Sequence, residues 1–162
     1  MISIPYLICS ILSFVPAIVC HEACHGSAAY KLGDPTAKRA GRRSFTPLKH
    51  LDPFATVLMP LLTMAMNMPV FGYAKPVPYN PAYFKDPRKG DLIVGLAGPT
   101  ANLVMAALGA AASFAVRTAL PTGSLMAASD LFYYFYALFL PMFSLINLYL
   151  AFFNLLPIPP LD

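Results

Sequence analysis

A short motif near the N-terminus contains the residue types of a metal-dependent hydrolase. His21 and His25 stand four residues apart, and Glu22, the sole Glu among the 162 residues, follows the first of them. Residues four apart lie on one face of a helix, so both imidazoles can reach one metal ion. The carboxylate of Glu22 can then act as general base toward a water molecule at the metal. The motif predicts a catalytic zinc site on a helix.

The same residues also have a structural interpretation. His21 and His25 could hydrogen-bond helix carbonyls or lipid headgroups while Glu22 stays neutral. Cys20 and Cys24, also four apart, could join a soft-metal site or simply pack as small apolar side chains. The sequence favours the metal site for the two histidines and packing for the two cysteines.

Two histidines do not complete a tetrahedral zinc site, so a third ligand is expected. The remaining candidates by residue type are His50, Asp34, Asp52, Asp86, Asp91, Asp130 and Asp162. Most of these lie in basic loops, where solvation or a surface ion pair is expected. Asp162 differs because it follows thirty-one uncharged residues and a Pro-rich segment that should end a helix. The alternative is that Asp162 is a charge at the membrane interface.

The composition places these residues in a membrane protein. Mean hydropathy is +0.63, with 58% hydrophobic and 11% charged residues, which excludes an ordinary soluble domain and a disordered chain. The net charge of +4 comes from loop residues and does not indicate nucleic-acid binding. Four uncharged stretches are each long enough to cross a bilayer: Ile2 to Cys20, Phe54 to Ala74, Leu92 to Val116 and Leu131 to Leu161.

The second of these stretches does not fit a simple crossing. Basic residues concentrate in residues 31–49 and 75–89, on both sides of it, and a single crossing would put these loops on opposite faces of the membrane. Pro60 and Pro69 interrupt the stretch. The prediction is an all-α integral membrane bundle with three crossing helices and a Pro-interrupted re-entrant segment over residues 54–74; a Pro-kinked single span is the alternative. Three crossings also bring Asp162 to the same membrane face as His21.

Three motifs in order resemble the site-two protease family of intramembrane zinc metalloproteases, in its small bacterial branch without appended soluble domains. The first is the His21 to His25 motif. The second is Gly98-Pro99-Thr100-Ala101-Asn102, expected to open a later helix. The third is the segment from Asn154 to Asp162, and the intervening sequence is similar as well. The likeness covers nearly the whole chain.

The resemblance implies one Zn²⁺ per chain, held by His21, His25 and Asp162, with Glu22 activating the water. It also implies cleavage of a single-span membrane protein within or near its transmembrane segment, in a bacterial cell membrane. The basic loop after the first helix predicts that the site lies near the cytoplasmic face. The family motif continues from Asp into Gly and another helix. Residues 1–162 are therefore expected to be a single transmembrane metalloprotease domain truncated at its C-terminus.

Further roles are predicted from residue chemistry. Asn154, then Asn102, then Asn147 are candidate donors to the oxyanion. The alternative for each is an interhelical hydrogen bond, which has at least equal weight for Asn102 and Asn147. The region from Phe54 to Pro81 is expected to bind the unwound substrate by edge pairing. Two other functions remain open: a noncatalytic membrane metal-binding protein, as a transport subunit or inactive protease-like scaffold, and a helical assembly factor without metal.

Overall fold

The computed structural model describes residues 4–47, 58, 62, 66, 76–120 and 130–156. Within these residues the chain is helical and contains no β-strand. Three of its helices are long and apolar enough to cross a membrane: Ile4–Lys31, Pro87–Ala119 and Leu131–Leu155. At 1.5 Å per residue they measure about 42, 50 and 38 Å, all longer than the ~30 Å hydrocarbon layer. The prediction of an all-α membrane protein is confirmed, and three helices among the described residues match three of the predicted crossings.

The first helix, α1 (Ile4–Lys31), ends at a glycine in the left-handed region. Gly33 has φ 104°, its N–H donates to Tyr30 O, and the Asp34 N–H donates to Ala29 O. This pattern is a Schellman cap, which satisfies carbonyls at the end of the helix. The short helix α2 (Thr36–Arg39) ends in the same way at Gly41, φ 68°. The two caps turn the chain twice within about ten residues after α1.

The second crossing helix, α3 (Pro87–Ala119), begins earlier than its uncharged run suggests. Asp86 precedes it, and the Asp86 Oδ1 accepts a hydrogen bond from the Lys89 N–H at 3.2 Å. Asp at the N-cap and Pro87 at the first position are favoured because the first turn leaves N–H groups unpaired. The expectation that the segment 98–102 opens a helix is therefore wrong, because Pro99 lies well inside α3.

The third crossing helix changes its hydrogen-bonding pattern near its start. It consists of α4 (Asp130–Tyr133), a π-helical segment (Tyr134–Phe139) and α5 (Leu140–Leu155). The Leu140 N–H donates to Phe135 O, five residues back. Pro141 follows directly, and a proline ring crowds the carbonyl four residues earlier, so a wider turn at this point relieves the clash. Leu156 is extended, as expected for a residue before proline, and the predicted helix end before Pro157 is confirmed.

The chain divides into two units that share α1 and α3. One unit comprises residues 1–17 and 98–162, and the other comprises residues 18–97. In the first unit, Ser10 Oγ lies 3.3 Å from Met142 Sδ. In the same unit, Gly109 of α3 faces Ser144 of α5. A Cβ at Gly109 would lie only 2.5 Å from Ser144 Oγ, so glycine permits this close approach.

The second unit contains most of the charge of the chain and its own small core. Ten of the eleven basic residues fall within residues 18–97. Its core consists of the buried side chains of Ala29, Phe84 and Val94, with Ala28 and Leu32 packed against them. Gly90 lies against Phe84, where any added Cβ would overlap the ring. The core joins the end of α1 to the beginning of α3.

Of the segment 54–74, the structure describes Leu58, Leu62 and Met66 alone. The Met66 N–H donates to Leu62 O at 3.0 Å, which is the spacing of a helical turn. The remaining residues of this segment lie outside the described residues. Whether it crosses the membrane or re-enters therefore stays a prediction.

Candidate metal centre

His21 and His25 converge on α1 as their spacing predicts. Their Nε2 atoms are 3.0 Å apart, and their rings meet edge to face with centroids 4.6 Å apart. Both side chains are buried, with exposed fractions of 4% and 8%. Glu22, exposed by 9%, lies on the adjacent face of the same turn. Three polar side chains are thus held in a buried part of a largely apolar helix, where each must find a partner.

A backbone carbonyl of α3 orients the His25 ring. His25 Nδ1 lies 2.6 Å from Val94 O. A carbonyl can only accept a hydrogen bond, so Nδ1 carries the proton and donates it. In a neutral imidazole Nε2 then has a lone pair, which accepts from His21 Nε2 in this structure. A metal-binding histidine typically has this arrangement, with its outer nitrogen donating to a carbonyl or carboxylate.

Glu22 is held by the extended segment of residues 76–80, which precedes α3. The Val77 N–H donates to Glu22 Oε2 at 3.1 Å, and the Val77 side chain is itself buried. Pro76 and Pro78 flank Val77 and have no N–H, so Val77 offers the one backbone donor of this tripeptide. The bond uses one carboxylate oxygen and fixes the direction of the other.

Three residues further on, the same segment is held by a buried aspartate. Asp34 has no exposed surface; its Oδ2 accepts from the Asn80 N–H at 2.7 Å, and its Oδ1 accepts from Thr36 N–H and Oγ1 at 2.8 and 2.5 Å. Burial alone would raise the pKa of Asp34, but the Thr36 and Asn80 hydrogen bonds and the charge of Arg39 outweigh it and hold that pKa below its usual value. The expectation that Asp34 is a solvated loop charge is wrong.

The two histidines fit two positions of a zinc site. Zn–N bonds of about 2.0–2.1 Å at tetrahedral angles separate two ligand nitrogens by roughly 3.3 Å, close to the 3.0 Å observed between the Nε2 atoms. Because His25 Nδ1 donates to Val94 O, the lone pair of His25 lies on Nε2, on the side that faces His21. Among the described residues, no group of three or more His, Cys, Asp or Glu is arranged to hold a metal. Asp162, the predicted third ligand, lies outside them.

Comparison with known proteins relates the whole sequence to zinc metalloproteases. The chain is 38% identical over 158 residues to the Bacillus subtilis (strain 168) protein named "Putative zinc metalloprotease YwhC", covering 98% of this chain and 65% of that protein. It is 31% identical over 98 residues to the Mycolicibacterium smegmatis protein named "Putative zinc metalloprotease Rip2", covering 60% of this chain and 37% of that protein. Both relatives are named as zinc metalloproteases, which agrees with the resemblance of the chain to the site-two protease family. No family model and no solved structure matches it.

The other residues expected in a site-two protease site are dispersed in the chain. Asn102, fully buried, lies in α3 eight residues after Val94. Asn154 is half-buried near the end of α5, and its Nδ2 donates to Leu150 O at 2.8 Å. Asn147 makes the equivalent bond to Phe143 O. An amide has two N–H donors, so the bond to its own helix leaves Asn154 a second donor. Their catalytic roles stay predictions.

The structure also identifies partners that the sequence did not suggest. Val77 N–H and Val94 O are backbone groups and leave no signal in side-chain chemistry, although the Pro-Val-Pro sequence makes Val77 conspicuous. The three cysteines among the described residues, Cys9, Cys20 and Cys24, form no disulfide. His50 and most of residues 54–75, a large part of the predicted substrate region, lie outside the described residues.

Proposed function

We propose that this chain is the catalytic part of an intramembrane zinc endopeptidase that cleaves a transmembrane segment of a single-span membrane protein. One observation supports this above the others: two histidine Nε2 atoms lie 3.0 Å apart beside a buried, hydrogen-bonded glutamate on a helix long enough to cross a bilayer. The names of the two relatives support the same class of activity. The chain spans 65% of the length of the Bacillus relative, so the whole protein's substrates and partners are part of the proposal.

The metal would be held by His21 and His25, with Asp162 as the third ligand. Zinc at such a site polarises the scissile carbonyl and lowers the pKa of a water molecule that it binds. The Val94 carbonyl keeps the proton of His25 on Nδ1, so that Nε2 is available as a ligand. Burial of both rings keeps bulk water from competing with the ligands.

Glu22 moves the proton in this mechanism. The Val77 N–H holds the carboxylate through Oε2. The carboxylate takes a proton from the attacking water as the new C–O bond forms, and it delivers that proton to the leaving nitrogen as the C–N bond breaks. Glu22 thus returns to its ionised form at the end of each turnover. Asn154, or alternatively Asn102, would donate to the oxyanion.

The position of the motif in α1 suits access of water to the site. His21 lies seventeen residues after the first residue of α1, which corresponds to about 26 Å along the helix axis. If α1 enters at one surface of the hydrocarbon layer, His21 is close to the other surface. The many basic residues that follow α1 support a cytoplasmic position for that surface in a bacterial cell membrane. Substrate segments would unwind against residues 54–81.

Glu22→Gln tests the proposal directly. Gln can still accept the Val77 N–H through its carbonyl oxygen, so the fold and zinc content should be unchanged while cleavage of a single-span substrate falls at least about 100-fold. Zinc is measured by elemental analysis and cleavage by gel shift, in the full chain reconstituted in bilayers. His25→Ala is the matched control and should lose zinc as well as cleavage.

The result also separates the proposal from its alternative. A noncatalytic membrane metal-binding protein would keep its function in Glu22→Gln, and such a result would disprove the protease assignment. Asp162→Asn should lower the zinc content without unfolding the protein. If that variant binds zinc as tightly as the wild type, Asp162 is not the third ligand.

A further inference from the structure

An unusual cluster of cations surrounds one tyrosine at the end of α1. Lys38 Nζ donates to Tyr30 Oη at 3.2 Å and lies 5.0 Å from the centroid of the Tyr30 ring. The guanidinium carbon of Arg43 lies 4.2 Å from the same centroid. Both distances are within the ~6 Å range of a cation–π contact. One aromatic ring therefore gathers two positive charges that would otherwise repel each other.

We call these residues the Tyr30 cation cluster (Tyr30, Lys38 and Arg43). In the part of the chain that the structure describes, neither Lys38 nor Arg43 forms an ion pair with a carboxylate. Asp34, the nearest acid in sequence, is fully buried, and its oxygens accept from Thr36 and Asn80. The two cations and part of the ring remain exposed to an external anion.

The surroundings of the cluster are those of a membrane interface. Tyr30 is 36% exposed one residue before α1 ends, and Phe45, two residues after Arg43, is 71% exposed. Aromatic side chains concentrate where the hydrocarbon meets the headgroups. Basic residues next to a crossing helix attract anionic lipids, each contributing about 1 kcal/mol. Phe45 adds an apolar contact that a free anion would not use but a lipid would.

We propose that the Tyr30 cation cluster binds the phosphate of an anionic phospholipid, with Phe45 inserted beside its glycerol and acyl region. Arg43 supplies a planar, forked donor group that matches phosphate oxygens, and Lys38 supplies a second charge. The Tyr30 ring holds both cations in place before the lipid arrives, so less side-chain entropy is lost on binding. The proposal is independent of the protease function.

The test compares two pairs of cations in the full chain. Lys38→Gln/Arg43→Gln removes one Lys and one Arg from the cluster, and Lys85→Gln/Arg88→Gln removes the same residue types from exposed positions elsewhere in residues 18–97. Binding of phosphatidylglycerol and of phosphatidylcholine is titrated in detergent by native mass spectrometry. We expect about 30-fold weaker phosphatidylglycerol binding in the first variant, from two contributions of about 1 kcal/mol, and less than about threefold in the second.

Further variants keep the result interpretable. Lys38→Arg/Arg43→Lys preserves both charges and should retain binding, whereas Tyr30→Leu removes the ring and should weaken it more than Tyr30→Phe. Equal losses in the two Gln variants, or equal binding of the two lipids by the wild type, would overturn the proposal. Competition by millimolar inorganic phosphate that fully displaces phosphatidylglycerol would instead show a site for the free anion. Circular dichroism identifies variants that do not fold. If a Gln variant is unfolded, the test is whether Lys38→Arg/Arg43→Lys retains phosphatidylglycerol binding, and a loss of binding there would contradict the proposal.

Discussion

Replacing Asp34 by Asn should release the segment that holds Glu22. The Asp34 carboxylate accepts three hydrogen bonds, two from Thr36 and one from the Asn80 N–H. An Asn side chain has one acceptor oxygen. If that oxygen stays with Thr36, the amide NH₂ faces the Asn80 N–H, and two donors meet in a fully buried place. The variant therefore loses one bond completely and weakens two others.

The magnitude follows from the cost of each change. An unsatisfied buried donor costs about 1–3 kcal/mol, and exchanging a charged acceptor for a neutral one weakens the two remaining bonds. We expect roughly 2–4 kcal/mol, which corresponds to a loss of about 30- to 900-fold in amide protection. Hydrogen exchange of the peptide that contains Asn80 measures this locally, in the full chain in detergent.

Asp86→Asn is the matched control for this experiment. Asp86 is exposed and accepts from the Lys89 N–H at 3.2 Å, so its replacement should change protection of the Asn80 amide by less than about twofold. Unchanged protection in Asp34→Asn, or an equal loss in Asp86→Asn, would refute the reasoning. Zinc content and cleavage in Asp34→Asn then show whether loosening residues 76–80 reaches Glu22.

The lowered pKa of Asp34 predicts that its contribution to stability depends on pH. Its pKa in the folded protein is below the ordinary value of about 3.9, so the stabilisation from its ionised form is fully present above that value. It is lost as pH falls through the lowered folded pKa. The difference between wild type and Asp34→Asn should thus be constant above about pH 5 and shrink in more acidic buffer. A difference that grows on acidification would contradict the assignment.

Two further substitutions test contacts of the described residues. Val77→Pro removes the N–H that binds Glu22 and should lower kcat at least about tenfold with zinc retained, while Val77→Ala, which keeps the N–H, should lower it far less. Gly90→Ala places a Cβ against Phe84 and should destabilise the protein by about 2 kcal/mol in thermal unfolding. Gly95→Ala on the same helix meets no atom within 4 Å and should be neutral or stabilising by up to about 1 kcal/mol. Equal effects of Gly90→Ala and Gly95→Ala on thermal unfolding would show that the contact with Phe84 does not cause the destabilisation.

Features of the site that depend on neighbouring residues were predictable from the sequence. The convergence of His21 and His25 requires only a helix, and four-residue spacing then brings their Nε2 atoms together. Asp86 and Pro87 form a typical helix beginning and predict the start of α3, whereas the uncharged run begins only at Leu92. The charged residues between them belong to the first turns of the helix and not to a loop.

Features that depend on distant residues were not predictable. The bond from Val77 to Glu22 joins residues 55 apart, and that from Val94 to His25 joins residues 69 apart. Both involve backbone groups, which every residue possesses, so no pattern of side chains distinguishes them. The sequence predicts solvation or a surface ion pair for Asp34, because acidic residues in basic loops are usually exposed. Its Pro-Thr neighbours, which favour a side-chain-to-backbone turn, were the available signal.

The sequence by itself determined the class of the protein, the three long apolar helices among the described residues and the pair of histidines, because hydropathy and helical period act within one segment of chain. Tertiary structure alone decided which nitrogen of His25 has the lone pair, which oxygen of Glu22 is held, and that Asp34 is buried. Those outcomes depend on the positions that the backbone of residues 76–80 and of α3 takes in the folded protein. A buried polar group takes its properties from whichever partner the fold brings within hydrogen-bonding distance.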